Sequence, residues 1–384
     1  MQFRDLSTQY RNLKQEIDKK ISDVCSSAAF ISGSAVFELE KELADYVGVK
    51  HCITCANGTD AITLAIRAWE LGENDAVFIP DFTFFSSGEC PAREGCRCVF
   101  VDVDKSTYNI NPQKLEEAIQ RVIDEGKYKA RAVITVDLFG QPADYPAIRA
   151  ICDKYELLLL EDGAQGFGGM IGEKRACSFG DISTTSFFPA KPLGCYGDGG
   201  SVFTDNDDWA RLIRSYAVHG KALDDKYNNI RLGYNSRLDT IQAAVLQVKF
   251  KAFRDYEVDS VNHIAEMYNH EIYNGKLEPS LVIPVVKSGF VSSWAQYTVQ
   301  LPKEADRNKL QKEMKDKGIP TMVYYPKPMH AQGAFAGTDS EKADCKATDE
   351  LCKRVLSLPM HPYMSESDVQ RVVFVLKDSL QDCV

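Results

Sequence analysis

The chain is predicted to be an α/β protein: a large domain around a mainly parallel sheet, followed by a smaller α+β domain. Three observations predict this. Short apolar runs without clean alternation end in turn or acidic residues, helix-like segments lie between them, and from about Leu238 the pattern changes to sustained helical spacing. The expected division is residues 1–245 for the large domain with its N-terminal segment, and 246–384 for a connecting helix and the small domain.

Taken in order, "HCITC" (51–55) reads as a buried strand, and "CANGTDAITLAIRAWELG" (55–72) turns into a helix behind Asn57, Gly58 and Thr59. The runs "AVFIPD" (76–81), "CVFVDVD" (98–104), "AVITVDLFG" (132–140) and "LLLLEDGA" (157–164) read as strands covered on both faces. Residues 111–126 and 142–156 supply helices between them. Leu238, Ile241, Val245 and Val248 open a long helix with no interrupting Gly or Pro. Beyond it, 293–301 alternates like a half-buried strand, and 307–318 and 367–380 are amphipathic helices, a unit of about 120 residues.

Composition narrows the function. The 384 residues are 44% hydrophobic and 26% charged, with a formal charge of −10, as in a soluble globular protein. An acidic surface argues against nucleic acid and anionic membranes as partners. The roughly 20 apolar residues that span a bilayer do not occur in a row, and the charged N-terminal stretch lacks the apolar core of a signal peptide. The expected location is the cytoplasm, with the 12 cysteines reduced. Cys52 and Cys55 form a Cys-x-x-Cys with no second pair, so they read as buried apolar residues and no metal is expected.

Three stretches carry the chemistry. In "SFFPAKPLGCYGDGG" (186–200), Lys191 sits between an aromatic–proline run and a glycine-rich turn. A lysine kept partly out of water loses its proton more easily and attacks carbonyls, although the stretch alone is equally consistent with a phosphate contact. In "LLLLEDGAQGFGG", Asp162 leaves a strand where sheet ligands bind, a position that also suits a simple turn cap. Gly58 and Thr59 open a helix whose free N–H groups suit a phosphate, and capping alone also explains them. Together with the aromatic run "DFTFFSS" (81–87), these parts match what pyridoxal phosphate needs: a lysine for the Schiff base, a carboxylate at the pyridinium nitrogen, a phosphate cup and a ring contact.

The same motifs, with "FRDLSTQY", "FISGSAVFELEKELADYVGVKHCITCANGTDA", "LGYNSRLDTIQAAVL", "YYPKPMHAQ" and "SLPMHPY", run in order along nearly the whole chain. In this the sequence resembles the DegT/DnrJ/StrS-type sugar aminotransferases, fold type I enzymes dependent on pyridoxal phosphate. The resemblance implies that Lys191 carries the cofactor and shuttles protons, that Asp162 pairs with the ring nitrogen, and that Gln165 contacts the ring hydroxyl. It further implies that Gly58, Thr59 and Ser186 hold the phosphate and that Phe84 stacks on the ring. Asn235 resembles the asparagine that reaches a neighbouring subunit's phosphate, which implies a homodimer with shared sites. Dehydratases of the family carry histidine at the lysine position, so Lys191 favours transamination. Gly163 stands where the family usually has Ala or Cys, and a small residue is retained.

The closest likeness is to the subgroup acting on UDP-2-acetamido-2-deoxy-3-oxo-glucuronate with glutamate as donor, in surface-polysaccharide synthesis. Arg237 then resembles the arginine near the sugar carboxylate, or is a helix-start residue paired with Asp239. Tyr325 and His330 fall in the substrate-side segment, where packing is the other reading. The competing functions are an aminotransferase on another UDP- or dTDP-linked 3-keto or 4-keto sugar, a cofactor-binding regulator without catalysis, and a Schiff-base aldolase. An intact Lys191–Asp162 pair counts against the regulator, and the phosphate cup counts against the aldolase.

Overall fold

A computed structural model describes residues 1–384 except 223, 224, 226, 279, 339, 341–343, 382 and 384. The N-terminal helices are α1 (Leu6–Ser27) and α2 (Ser34–Val47). The sheet region follows with β1 (His51–Cys55), α3 (Gly58–Ala68), β2 (Asp75–Pro80), α4 (Ser86–Arg93), β3 (Arg97–Val101), α5 (Pro112–Glu125), β4 (Lys129–Val136), α6 (Tyr145–Tyr155) and β5 (Leu158–Asp162). Two short strands, β6 (Met170–Ile171) and β7 (Lys174–Arg175), precede β8 (Ile182–Ser186), β9 (Gly200–Thr204) and α7 (Asp207–Ala217).

Seven strands form one sheet in the order β1-β9-β8-β5-β4-β2-β3. Neighbours from β8 to β3 pair in parallel, and β9 runs antiparallel between β8 and β1. Alternate residues serve opposite layers. Val77 and Ile79 pack with α3, α4 and α7, whereas Phe78 packs with α5 and α6. Both faces are therefore apolar, which is why these strands read as runs without alternation. In β1, Cys52 and Cys55 point into different cores, so the strand's period of two separates a pair that spacing alone would allow to chelate.

The long helix expected from Leu238 starts at Thr240 and runs to Asn274, with a π-helical insertion the spacing does not show. It begins as α8 (Thr240–Ala252), passes through a π-helical turn at Phe253–Glu257, and resumes as α9 (Val258–Asn274). The π turn leaves Glu257 buried, accepting from Gln9 Nε2 at 2.8 Å and from the Tyr363 hydroxyl. Such insertions leave no mark in apolar spacing. Before the turn, Val245 and Val248 pack on Ile17 of α1, and Leu246 and Phe250 join the core of α2. After it, α9 packs in a second core.

That core takes in β11 (Tyr297–Gln300), α10 (Arg307–Asp316), β12 (Val355–Leu358) and α12 (Glu366–Gln381), with Tyr268, Tyr297, Leu310, Leu356 and Leu376 at its centre, whereas β10 (Phe290–Val291) pairs with β6 and α11 (Lys346–Arg354) packs Leu351 and Cys352 with Phe82, Val136 and Phe139. Residues 293–301 give only a four-residue strand, and all four residues are buried rather than alternating. One face meets α9 and α12, while Thr298 O accepts from Tyr108, in the turn between β3 and α5, at 3.1 Å. Trp294, at φ 47°, keeps the strand from starting earlier. Among the described residues, no helix is long and apolar enough to cross a membrane.

Candidate active site

The carboxyl ends of β1, β2, β4, β5 and β8 converge on a cavity of about 610 Å³. Gly58, Thr59, Phe84, Asp162, Gln165, Ser186, Lys191 and Tyr325 all line it, although they come from five separate segments. Tyr324, Gln296 and Asp198 also line it, and none of the three stands out in the sequence.

Asn57 caps α3 by accepting from Asp60 N at 2.8 Å, which leaves the amides of the first turn facing the cavity wall. Thr59 Oγ1 lies 2.8 Å from Ser86 Oγ, and Ser186 sits directly against Gly58. A Cβ on Gly58 would lie 2.7 Å from Ser186 Cβ, so glycine is what lets β8 and α3 close into one cup. Hydroxyls and free amides at a helix N-terminus suit a phosphate.

Asp162 is buried with little hydrogen bonding: Oδ1 accepts from Ala164 N at 3.1 Å and Oδ2 from Ser87 Oγ at 3.2 Å. Burial pushes its carboxyl above the ordinary value, opposed by Ala164 N–H, by Lys191 and by Ser87. Ser87 carries no sequence signal, because its role depends on α4, which follows β2, reaching the end of β5 across the intervening β4. Lys191 sits in a tight turn, its N–H donating to Phe188 O at 2.9 Å. A Cβ on Gly194 would lie 2.5 Å from Pro189 O, so that turn requires glycine. Burial lowers the Lys191 amine below its ordinary range, Asp162 opposes this, and Arg4 adds to it. An amine with its pKa lowered and a carboxylate facing it suits a carbonyl nucleophile.

Gln165 is held at both ends of its amide: Oε1 accepts from Phe139 N at 2.8 Å, and Nε2 donates to Tyr325 Oη at 3.1 Å. The Phe84 ring, half exposed at the cavity mouth, stands 6.3 Å from that of Tyr325. Gly163 gains a reason, since a Cβ there would meet Cys177 Sγ at 2.5 Å.

Three expected residues lie elsewhere. Asn235 and Arg237 line a neighbouring cleft of about 470 Å³ that shares Asp198 with the main cavity. Arg237 Nη2 donates to Asn235 Oδ1, and its buried Nε has no partner. Among the described residues no ion pair joins Arg237 to Asp239. His330 is turned away from the cavity: its Nδ1 is 2.6 Å from Asp81 Oδ2, and its N–H donates to Asp81 Oδ1 at 2.8 Å. Asp81, which lies wholly out of solvent, thus takes up the side chain expected at the substrate.

The cup, the carboxylate, the enclosed lysine and the exposed aromatic ring suit pyridoxal phosphate, and this arrangement on a mainly parallel sheet defines a fold type I enzyme. Residues 11–377 match the DegT/DnrJ/EryC1/StrS aminotransferase family. The chain is 41% identical over 376 residues to a UDP-2-acetamido-2-deoxy-3-oxo-D-glucuronate aminotransferase of Pseudomonas aeruginosa, covering 98% of this chain and 99% of that one. It is 40% identical over 373 residues to a Geobacillus stearothermophilus protein named pleiotropic regulatory protein, covering 96% and 95%. The crystal structure of a DegT DnrJ EryC1 StrS aminotransferase from Brucella abortus matches with a TM-score of 0.94 at 41% identity, over 99% of each chain. The chain belongs to this family and is an aminotransferase dependent on pyridoxal phosphate.

Proposed function

We propose that this aminotransferase moves the amino group of glutamate to C-3 of UDP-2-acetamido-2-deoxy-3-oxo-glucuronate, supplying a 3-amino uronate for surface polysaccharide such as the O-antigen of lipopolysaccharide. The Pseudomonas aeruginosa relative carries that substrate in its name. The observation that favours a uronate here is Arg237, beside Asn235, whose guanidinium has no carboxylate partner and an unpaired Nε among the described residues. A planar fork of this kind suits bidentate capture of a carboxylate.

In this reading Lys191 Nζ holds the cofactor and then moves the proton at the substrate carbon. Asp162 keeps a positive charge at the ring nitrogen, Gln165 positions the ring hydroxyl, and Gly58, Thr59 and Ser186 bind the phosphate. Phe84 covers the ring. The bound cofactor supplies an electron sink for the carbanion formed when that carbon loses its proton. Tyr325, tied to Gln165, borders the sugar side. Asn235 serves the phosphate of a second copy, so the working unit is a cytoplasmic homodimer with shared sites, without nucleic acid or membrane. Exposed Phe30, Ile31, Ile230 and Leu232 on the segments flanking Asn235 favour a covered face there. The relative named as a regulator raises a second reading, binding without turnover, which the intact Lys191–Asp162 pair opposes.

The test is Arg237→Ala assayed on a keto-uronate and on its neutral keto-sugar counterpart. Losing a charge-assisted contact costs about 1.5–3 kcal/mol, roughly one to two decades in binding. The uronate should weaken by that factor and the neutral sugar should not. Glutamate also carries carboxylates, so its half-reaction is followed separately in the cofactor spectrum. Equal losses for both sugars would leave Arg237 a structural residue and the sugar unspecified.

A further inference from the structure

The N-terminal segment reaches the active-site lysine from behind. Arg4 Nη2 donates to Lys191 O at 3.0 Å and to Pro192 O at 3.4 Å, across almost half the chain. The segment is itself anchored on both sides of Arg4. Phe3 O accepts from Met360 N at 3.2 Å and the Phe3 ring stands 6.4 Å from that of Tyr324, while Asp5 caps α1 by accepting from Thr8 N at 2.9 Å. The guanidinium is enclosed among Glu257, Tyr363 and Tyr324, and burial lowers its own pKa.

We propose that Arg4 is a positioning residue for Lys191, clamping the backbone of its turn and placing a fixed positive charge behind its amine. This rests on the aminotransferase reading, in which the Lys191 amine must be free of its proton to act. One guanidinium nitrogen, Nη2, serves two successive carbonyls of the turn, and the shorter bond, to the lysine's own carbonyl, ties its backbone to the segment that leads into α1. The charged groups facing Lys191 are Asp162 from β5, which favours the ammonium, and Arg4, which disfavours it. Tyr324 and Tyr325 border the same space and stay neutral, both pushed up by burial. Burial and Arg4 therefore act together against Asp162. The same charge bears on Lys249, a buried lysine lowered to about 8, chiefly by burial and in part by Arg4.

The test compares wild type with Arg4→Met, Arg4→Gln and Arg4→Lys in the full-length chain. The primary readout is the pH dependence of Lys191 acylation after cofactor removal, quantified by peptide mass spectrometry against exposed lysines. In Arg4→Met and Arg4→Gln the Lys191 midpoint should move to higher pH, whereas Arg4→Lys, which keeps the charge, should stay near wild type. In the holoenzyme, Arg4→Met should lose about tenfold in kcat with a smaller change in KM for glutamate, as for a group acting through the lysine rather than on substrate. Thermal denaturation of each variant reports the fold. An unmoved acylation midpoint in Arg4→Met, with or without a lower melting temperature, overturns the proposal and leaves Arg4 an anchor of the N-terminus. Borohydride fixation followed by peptide mapping tests the underlying reading independently. Cofactor fixed on another lysine would overturn the assignment of Lys191, whatever the acylation midpoints show.

Discussion

Gly58→Ala isolates the cofactor cup from the rest of the site. The new methyl group would lie 2.7 Å from Ser186 Cβ, 3.2 Å from its Oγ and 3.3 Å from its Cα. None of these is the free end of a flexible side chain, so relief requires β8 and the first turn of α3 to separate. Overpacking of this kind costs about 1–3 kcal/mol. Alanine is the better helix former by roughly 0.5–1 kcal/mol, a gain realised in helix interiors and smaller at the first position. The clash wins. Because the surfaces forced apart are the ones proposed to hold the phosphate, cofactor affinity should fall by about 5- to 150-fold, the range those energies span.

The assay is cofactor titration by absorbance, with thermal denaturation of the cofactor-free chain alongside. Gly72→Ala serves as control, since a Cβ there meets nothing nearer than Glu94 O at 3.9 Å. Ser186→Gly removes the two nearest atoms, so the double variant should recover part of the affinity beyond additivity. Wild-type affinity in Gly58→Ala, or strict additivity in the cycle, would refute the close packing of these residues around a phosphate.

Mixing Lys191→Ala chains with Asn235→Ala chains should restore activity that neither has alone, because one hybrid site keeps both residues; exchange of subunits without recovery would remove Asn235 from a shared site. His330 is raised above its ordinary value, first by its hydrogen bond to Asp81, with Asp349 and Asp102 adding to the effect. Its stabilisation is therefore fully present below about pH 6.5 and is lost as pH rises through the raised folded value. The melting-temperature gap between wild type and His330→Gln should be widest at the acid end and close toward alkaline pH, and a constant gap would sink the ion-pair account.

Lys191 and Asp162 were legible because their surroundings are local: a glycine-rich turn around one and the end of a leucine strand before the other. Gly58 and Thr59 were legible for the same reason, as a cap after a short strand. Residues whose roles come from distant pairing were not. Arg4 meets Lys191, Ser87 meets Asp162 and Asp81 meets His330 only after the sheet order is set, and none of these pairs shares a spacing. His330 shows the consequence, because a histidine in a substrate-side segment carries no sign that a buried aspartate will take its ring. The π turn after α8 was hidden for another reason, since its apolar residues continue the helical spacing on either side.

Glu161 and Asp162 are adjacent acids at the end of one strand, and the fold gives them opposite tasks. Alternation along β5 sends Glu161 away from the cavity, where it accepts from Cys177 N, from Phe179 N at 2.8 Å, from Gly180 N at 3.3 Å and from Ser183 Oγ at 2.8 Å. Those donors fill the capacity of a carboxylate. Asp137 beside it is pushed well up by burial and by Glu161. Asp162 accepts only two long bonds and keeps capacity facing Lys191. Glu161→Gln would turn an amide nitrogen toward existing donors and should cost about 1–3 kcal/mol of stability, while leaving turnover per folded enzyme nearly intact. Asp162→Asn keeps the shape and most of the stability but removes the charge, and turnover should fall by about a hundredfold or more, the scale for a buried group aimed at developing charge. Melting temperature and single-turnover rate, measured on both variants, separate the two tasks. If Asp162→Asn melted as early as Glu161→Gln and turned over normally, unspent acceptor capacity would not be what distinguishes Asp162 from its neighbour.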